Sequence, residues 1–262
     1  MTKYLKQFEL TVQYEEYINS NVALFPNVSV TNDDNKVHYN PIPNYLMFTA
    51  EEDNSTISLT SKTSPDIKYS LNGGTWTQWD YNAITLDMGD TVRMKGNNNN
   101  GFSTSSRNYN QFQMAGKISA SGNIMSLLYE DNFEEQLTIP GEYCFYCMFY
   151  GCTALTTAPE LPATTLANYC YRYMFRDCTS LTTAPELPAT TLTILCYEYM
   201  FRGCTKLNYI KMLATNIRAI GCLYNWVNGV ANTGTFIKHP NMTSLPTGTS
   251  GIPTGWTAQN AA

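Results

Sequence analysis

The chain has 262 residues, enough for one to three domains and a sizeable core. Charged residues make up 14%, well under the usual share of roughly a quarter, and the net charge is −5. With no Lys/Arg cluster, these totals exclude nucleic-acid or anionic-membrane binding as the main task, because both need a basic footprint.

The start, "MTKYLKQFELTVQYEE", has no apolar h-region and no small-residue cleavage site, so it does not read as a signal peptide. The expectation is a chain made and kept in a cytosol, with its eight cysteines as thiols. No apolar run approaches the roughly 18 residues of a spanning helix, so no membrane insertion is expected.

Residues 1–41 read as a small α+β module. Thr11 caps a short helix ending near Ser20, with Tyr14, Tyr17 and Ile18 on one face and Glu15 and Glu16 on the other. Val28 and Val30 lead into a polar turn at 32–35, and Val37 and Tyr39 return, which predicts a hairpin. About forty residues bury too little surface to be robust alone, so the module is expected to fold against a partner or a second copy. The alternative is a small cap on the next domain. A linker with two prolines follows at 40–45.

From residue 45 to 121 the period is two. "YLMFTA", "STISLTS", "DIKYS", "TWTQW", "AITL", "TVRMKG" and "QFQMAG" are strand candidates separated by turn-rich stretches. That spacing predicts an antiparallel, Ig-like β-sandwich. Trp76 and Trp79 either line a glycan site or pack a hairpin, and "GNNNNG" at 96–101 reads as an exposed loop.

From 122 to 262 the chain repeats with a period of 26 residues. Cys144, Cys170, Cys196 and Cys222 form one column; Met148, Met174 and Met200, continued by Trp226, form the next. Phe149, Phe175 and Phe201 follow, then Cys152, Cys178 and Cys204, then Leu155, Leu181 and Leu207. Cys170, Met174 and Cys178 lie four apart, which predicts one face of a helix. "LTTA" reads as a short strand that Pro185 stops. Each copy is therefore expected to be one coil of helix, strand and loop, stacked in a solenoid. "GTFIKH" reads as the closing strand, the tail after it as one cap and residues 122–143 as the opposite cap.

The C-x-x-C of Cys144 and Cys147 lacks a second pair or nearby histidines for zinc and a βαβ context for redox work. No metal, cofactor or catalytic set is therefore expected. The cysteine columns read as buried structural thiols, and Glu160 and Glu186 as solvated residues at equivalent places of successive coils. Tyr171, Arg172, Tyr173 and Arg176, with Tyr197, Tyr199 and Arg202 one copy on, form the candidate contact stripe for a glycan or a neighbouring subunit. Against that, the same tyrosines would simply shield the coil and pack on one another.

"MFRDCTSLTTAPELPATTL" resembles the BspA-like leucine-rich repeats of gut bacteria and their phages. The resemblance rests on Phe175, Asp177, Cys178, Thr179, Leu181, Ala184 and Pro185, and on their counterparts one copy earlier and later, with Met212 near the place of a proline. The N-terminal segments and "SGNIMSLLY" look like modular virion proteins of tailed phages of gut Bacteroidetes, including crAss-like phages. That resemblance implies a non-enzymatic head fibre or capsid decoration, attached to a capsid or other virion protein through residues 1–41. It also implies a homo-oligomer, expected as a trimer, and outer parts that meet the host surface or mucus glycans. A bacterial cell-surface adhesin is the alternative class, and a glycan-active enzyme with a repeat module a third.

Overall fold

A computed structural model describes residues 28–33, 36–41 and 43–262. The chain divides into two compact units, Met1–Asn44 and Tyr45–Ala262. In the first, β1 (Val28–Asp33) and β2 (Lys36–Pro41) pair antiparallel, with Val30 opposite Tyr39 and Asp33 opposite Lys36. β1 thus runs two residues into the predicted turn at 32–35, and β2 takes up the first two residues of the predicted linker. The helix expected between Thr11 and Ser20 lies outside the described residues.

The second unit begins with alternating strands. They are β3 (Leu46–Ala50), β4 (Ser55–Thr60), β5 (Lys68–Leu71), β6 (Thr77–Gln78), β7 (Ile84–Leu86), β8 (Thr91–Lys95), β9 (Gln111–Ala115) and β10 (Ile118–Ser121). Leu46, Phe48 and Ala50 point inward from β3, and Ser55, Ile57 and Leu59 from β4, the period-two pattern of a half-buried strand. One sheet has the order β7-β4-β9. The other has the order β11-β10-β3-β8-β5-β6, where β11 is Leu155–Thr157 from the first repeat. Because β11 joins β10 in parallel, the sheet is mixed and reaches into the repeat region.

The expected fold, an antiparallel Ig-like sandwich followed by a leucine-rich solenoid with a helix in every copy, is overturned. The described residues are almost all strand and turn, and their one α-helix is the four-residue α1 (Ser126–Tyr129). The cause is in the backbone. Tyr169, Tyr173 and Asp177 have φ of 59°, 60° and 61°, and the equivalent positions of the other copies, such as Leu195, Tyr199 and Gly203, are also positive. An α-helix cannot pass through a left-handed residue at every fourth position.

What forms instead is a ribbon of overlapping turns. Every second N–H closes a local turn, as Met174 N–H does to the Tyr171 carbonyl and Arg176 N–H to that of Tyr173. The alternate N–H groups donate to the next copy: Tyr171 to the Cys196 carbonyl, Tyr173 to Glu198, Phe175 to Met200 and Asp177 to Arg202. Side chains consequently go inward in pairs, Cys170 with Tyr171 and Met174 with Phe175, and outward in pairs, Arg172 with Tyr173 and Arg176 with Asp177. A period of four imitates the helical period of 3.6 over so short a stretch.

Strands close the other side of the repeats. β12 (Tyr209–Met212), β13 (Thr235–Lys238) and β14 (Thr257–Asn260) pair in parallel, so the predicted closing strand β13 is central and β14 is the edge. In the second copy the predicted "LTTA" strand is reduced to a single bridge, Thr183 to Tyr209.

Residues 45–121 and the repeats are not separate bodies, since they share one core. Phe112 stacks on Phe149 at 5.4 Å, Phe149 on Phe175 at 5.4 Å and Phe175 on Phe201 at 5.7 Å. A second row runs Phe145, Tyr171, Tyr197 and ends, like the first, on Trp226. Stacked rings add to the area they bury.

The two ends of the stack are covered differently. Ser103 N–H and Phe112 N–H, from residues 45–121, donate to the Cys144 and Met148 carbonyls of the first copy. At the other end the tail covers the last copy: Asn225 N–H donates to Ser250 Oγ, Val227 N–H to the Thr249 carbonyl and Trp226 Nε1 to the Gly251 carbonyl. Residues 122–143 are no outer cap, because Ile124, Met125, Leu127, Leu128 and Phe133 lie in the shared core.

Candidate functional site

All eight cysteines are buried and unpaired. Cys152 Sγ donates to the Phe112 carbonyl at 3.1 Å, Cys178 Sγ to that of Phe149 at 3.0 Å and Cys204 Sγ to that of Phe175 at 3.0 Å. Each thiol in this column thus fastens its copy to the ring-bearing residue of the segment before it. A small side chain with a weak donor meets that need. Burial pushes the thiols of Cys144, Cys147 and Cys196 up to about 12. They are packing groups and hydrogen-bond donors, not thiolate nucleophiles. Met174, Met200, Leu181 and Leu207 are fully buried beside them.

The predicted contact stripe is divided by the turn ribbon. Tyr171 and Tyr197, at 1% exposure each, belong to the core. Their place in a ligand-facing stripe is therefore corrected: the residue after each cysteine of the Cys144, Cys170, Cys196 and Cys222 column turns inward. Arg172, Tyr173, Arg176, Tyr199 and Arg202 stay half-buried on the outer side. There Tyr173 stacks on Tyr199 with centroids 5.0 Å apart and planes 7° apart, and Tyr143 on Tyr169 at 4.4 Å and 2°. Tyr146 and Tyr224 end the Tyr173–Tyr199 row edge-on.

The arginines are laid on these rings. Arg172 lies 4.9 Å from the Tyr173 centroid and pairs with Glu198, whose carboxylate is buried. Arg176 lies 5.3 Å from Tyr150 and 5.4 Å from Tyr173, and Arg202 5.3 Å from Tyr199. Burial raises the Glu198 carboxyl and the Arg172 guanidinium opposes that rise. Because the rings face one another along the stack, they turn their edges and hydroxyls outward. The face is a set of hydrogen-bonding rows with guanidiniums between them, not a flat platform for a sugar.

Sequence reasoning missed Tyr143, Tyr169, Tyr146 and Tyr224. The 26-residue register held the signal for the first two, which occupy one column. Beside this face Ile194 and Ile220, also 26 apart, are exposed, Ile220 by 75%.

Elsewhere, Trp79 is buried and stacks on Phe112, and Trp76 packs against Tyr45 under the Lys95 ammonium, so neither lines an open site. The segment 96–101 is a loop with Asn97, Asn99 and Asn100 exposed, as expected, and Asn98 anchors it. The Asn98 amide accepts from Asp66 N–H at 2.9 Å and donates to the Asp66 and Leu127 carbonyls. A shallow groove of about 390 Å³ runs along Pro159, Leu161, Pro162, Pro185 and Pro188, with Glu160 and Glu186 at its margin. Both glutamates are exposed, and Glu186 pairs with Lys211 at 2.9 Å. Among the described residues no group of three or more His, Cys, Asp or Glu is placed to hold a metal ion. No helix among them is long and apolar enough to cross a membrane.

No protein-family model, no curated protein and no solved structure matches the chain.

Proposed function

We propose that the chain is a non-enzymatic structural and adhesive component of a virion, a head fibre or capsid decoration. In this proposal residues 1–41 attach it to a capsid or other virion protein, and the outer side of the repeats meets a host-surface or mucus glycan. The observation that carries the adhesive part is the half-buried face of Tyr143, Tyr169, Tyr173 and Tyr199 with Arg172, Arg176 and Arg202. Tyrosine and arginine give large binding energies where they are held rigid, and stacking holds these. The placement on a virion is supported by the sequence resemblance of the N-terminal segments and the repeats. The division of the chain at Asn44 fits an anchor joined to a displayed body.

The test is localisation in purified particles by immunogold microscopy with antibodies against 45–262. Label on the particle surface, lost when residues 1–41 are deleted, is the expected result. Protein found only in the bacterial envelope and never on particles would overturn the virion assignment.

A further inference from the structure

The geometry points to an anion subsite on the tyrosine–arginine face, where Arg176 and Arg202 together hold the carboxylate or sulfate group of an acidic glycan. This deepens the proposal above and rests on it.

Arg176 and Arg202 occupy the same place in successive copies. Asp177 N–H donates to the Arg202 carbonyl at 2.7 Å, which fixes the backbones in register. The rings beneath the two guanidiniums, Tyr173 and Tyr199, stack 5.0 Å apart. A guanidinium laid against a ring keeps its in-plane N–H donors for another partner. Two such forks, one rung apart and turned to the same side, match an oxyanion with several acceptor oxygens.

Local charge favours the same occupant. Two cations in adjacent rungs repel unless a negative group sits between them. Arg172 is ion-paired with buried Glu198, in a contact that, like that of Arg176, is not aligned as a hydrogen bond. Arg176 has only its neighbour Asp177, whose Oδ2 lies 3.3 Å from Nε in a side chain 43% exposed. That contact is not aligned as a hydrogen bond, and Arg176 Nε is buried without a hydrogen-bond partner. The remaining N–H donors of Arg176 make no hydrogen bond among the described residues and are left for another partner. Arg202 has no carboxylate within ion-pair range among the described residues, and the position equivalent to Asp177 in its rung is Gly203. Three guanidiniums therefore face two carboxylates on a chain whose net charge is −5.

The surroundings select a glycan over other polyanions. A nucleic acid needs a series of phosphate contacts, and here only two adjacent guanidiniums are on offer, Arg202 unpaired and Arg176 held by one exposed carboxylate. The phenol hydroxyls of Tyr150, Tyr173 and Tyr199, which both donate and accept, suit a ligand rich in hydroxyls around its charged group. Asn228 continues the column of Tyr150, Arg176 and Arg202 by one more rung.

The experiment is calorimetric titration of the full chain with three size-matched probes. They are a heparin-derived oligosaccharide carrying sulfate, an alginate-derived oligouronate carrying carboxylate, and a neutral manno-oligosaccharide. An acidic probe should bind about tenfold more tightly than the neutral one, and several-fold more weakly as salt rises from 50 to 300 mM. Whichever acidic probe binds identifies the anion. Arg202→Gln should weaken acidic binding about tenfold and leave neutral binding unchanged. Arg202→Lys should retain part of it, and Lys206→Gln, outside the face, should change nothing. Equal affinity for acidic and neutral probes, or an unaltered Arg202→Gln, would overturn the subsite and leave the glycan proposal standing. No binding of any saccharide would overturn both. Tight, Arg202-dependent binding of a poly-glutamate peptide in place of the saccharides would overturn the assignment to glycan.

Discussion

Tyr171 stacks on Tyr197 with ring centroids 6.1 Å apart, and both rings lie inside the protein although Arg172, the residue after Tyr171, is on the outer side. The Tyr171 hydroxyl is buried without a hydrogen-bond partner. Removing an unsatisfied buried hydroxyl recovers its desolvation cost. Tyr171→Phe should therefore raise stability by about 1 kcal/mol, whereas Tyr171→Ala should lower it by about 3–5 kcal/mol by opening a cavity. Urea unfolding of the full chain measures both. A Tyr171→Phe variant less stable than the parent would show that the hydroxyl has a partner.

The ring rows make the repeats and residues 45–121 one core, and Phe175 sits in the middle of one row between Phe149 and Phe201. Phe175→Ala should cost about 3–5 kcal/mol, and residues 45–121 should unfold with the repeats in a single transition. Thermal unfolding followed at two probes, one in each part, checks this. Two separated transitions in the parent would mean that the parts are energetically independent.

The turn ribbon depends on left-handed residues. Gly203 has φ +77°, and a Cβ there would meet Asp177 Oδ1. Gly203→Ala should cost about 1–2 kcal/mol. Asp177→Gly, at a position with φ 61° that already favours glycine, should change stability by less than about 1 kcal/mol. A Gly203→Ala variant more stable than the parent, with Asp177→Gly less stable, would argue against the ribbon and for a helical backbone.

The thiols give a prediction in pH. Burial raises Cys144, Cys147 and Cys196 from 9.0 to about 12, and raises Cys152, Cys170, Cys178 and Cys204 as well. The folded state thus holds these protons more tightly than the unfolded state. That contribution is fully present below about pH 9 and is lost as pH rises from 9 toward 12. The melting temperature should fall steeply over that range. At pH 7.5 native protein should react with a thiol reagent far more slowly than the eight sites of denatured protein. Rapid native labelling of most sites would contradict the buried columns.

Much of this fold was legible in the chain. Period-two alternation marked strands such as β3 and β4, and the columns of Cys144, Met148, Phe149 and Cys152 marked the core side of the repeats. The element type in the repeats was not legible, because spacing by four, as in Cys170, Met174 and Cys178, fits both a helix and a ribbon of turns. The positive φ of Tyr169 and Tyr173 is written in no residue type, since tyrosine there is held by its stacked neighbour. Tyr171 and Tyr197 were misplaced for another reason: either backbone puts the residue after Cys170 or Cys196 on the core side, and the column of Phe145, Tyr171 and Tyr197 carried that signal, while Arg172, Tyr173, Tyr199 and Arg202 fall on the outer side under either backbone. The β14 edge was missed because "TAQN" has no apolar alternation. The fusion of the two regions was missed because a parallel partner such as β11 for β10 leaves no mark in either strand.

The most direct test of the proposed function is attachment of the purified full chain to host cells, compared among the parent, Tyr173→Ala/Tyr199→Ala and Glu186→Gln. The paired tyrosine change should reduce attachment at least about tenfold with the fold intact by circular dichroism, and Glu186→Gln, on the groove side, should leave it unchanged. Equal attachment by all three proteins would contradict the claim that the tyrosine–arginine face is the surface this protein presents.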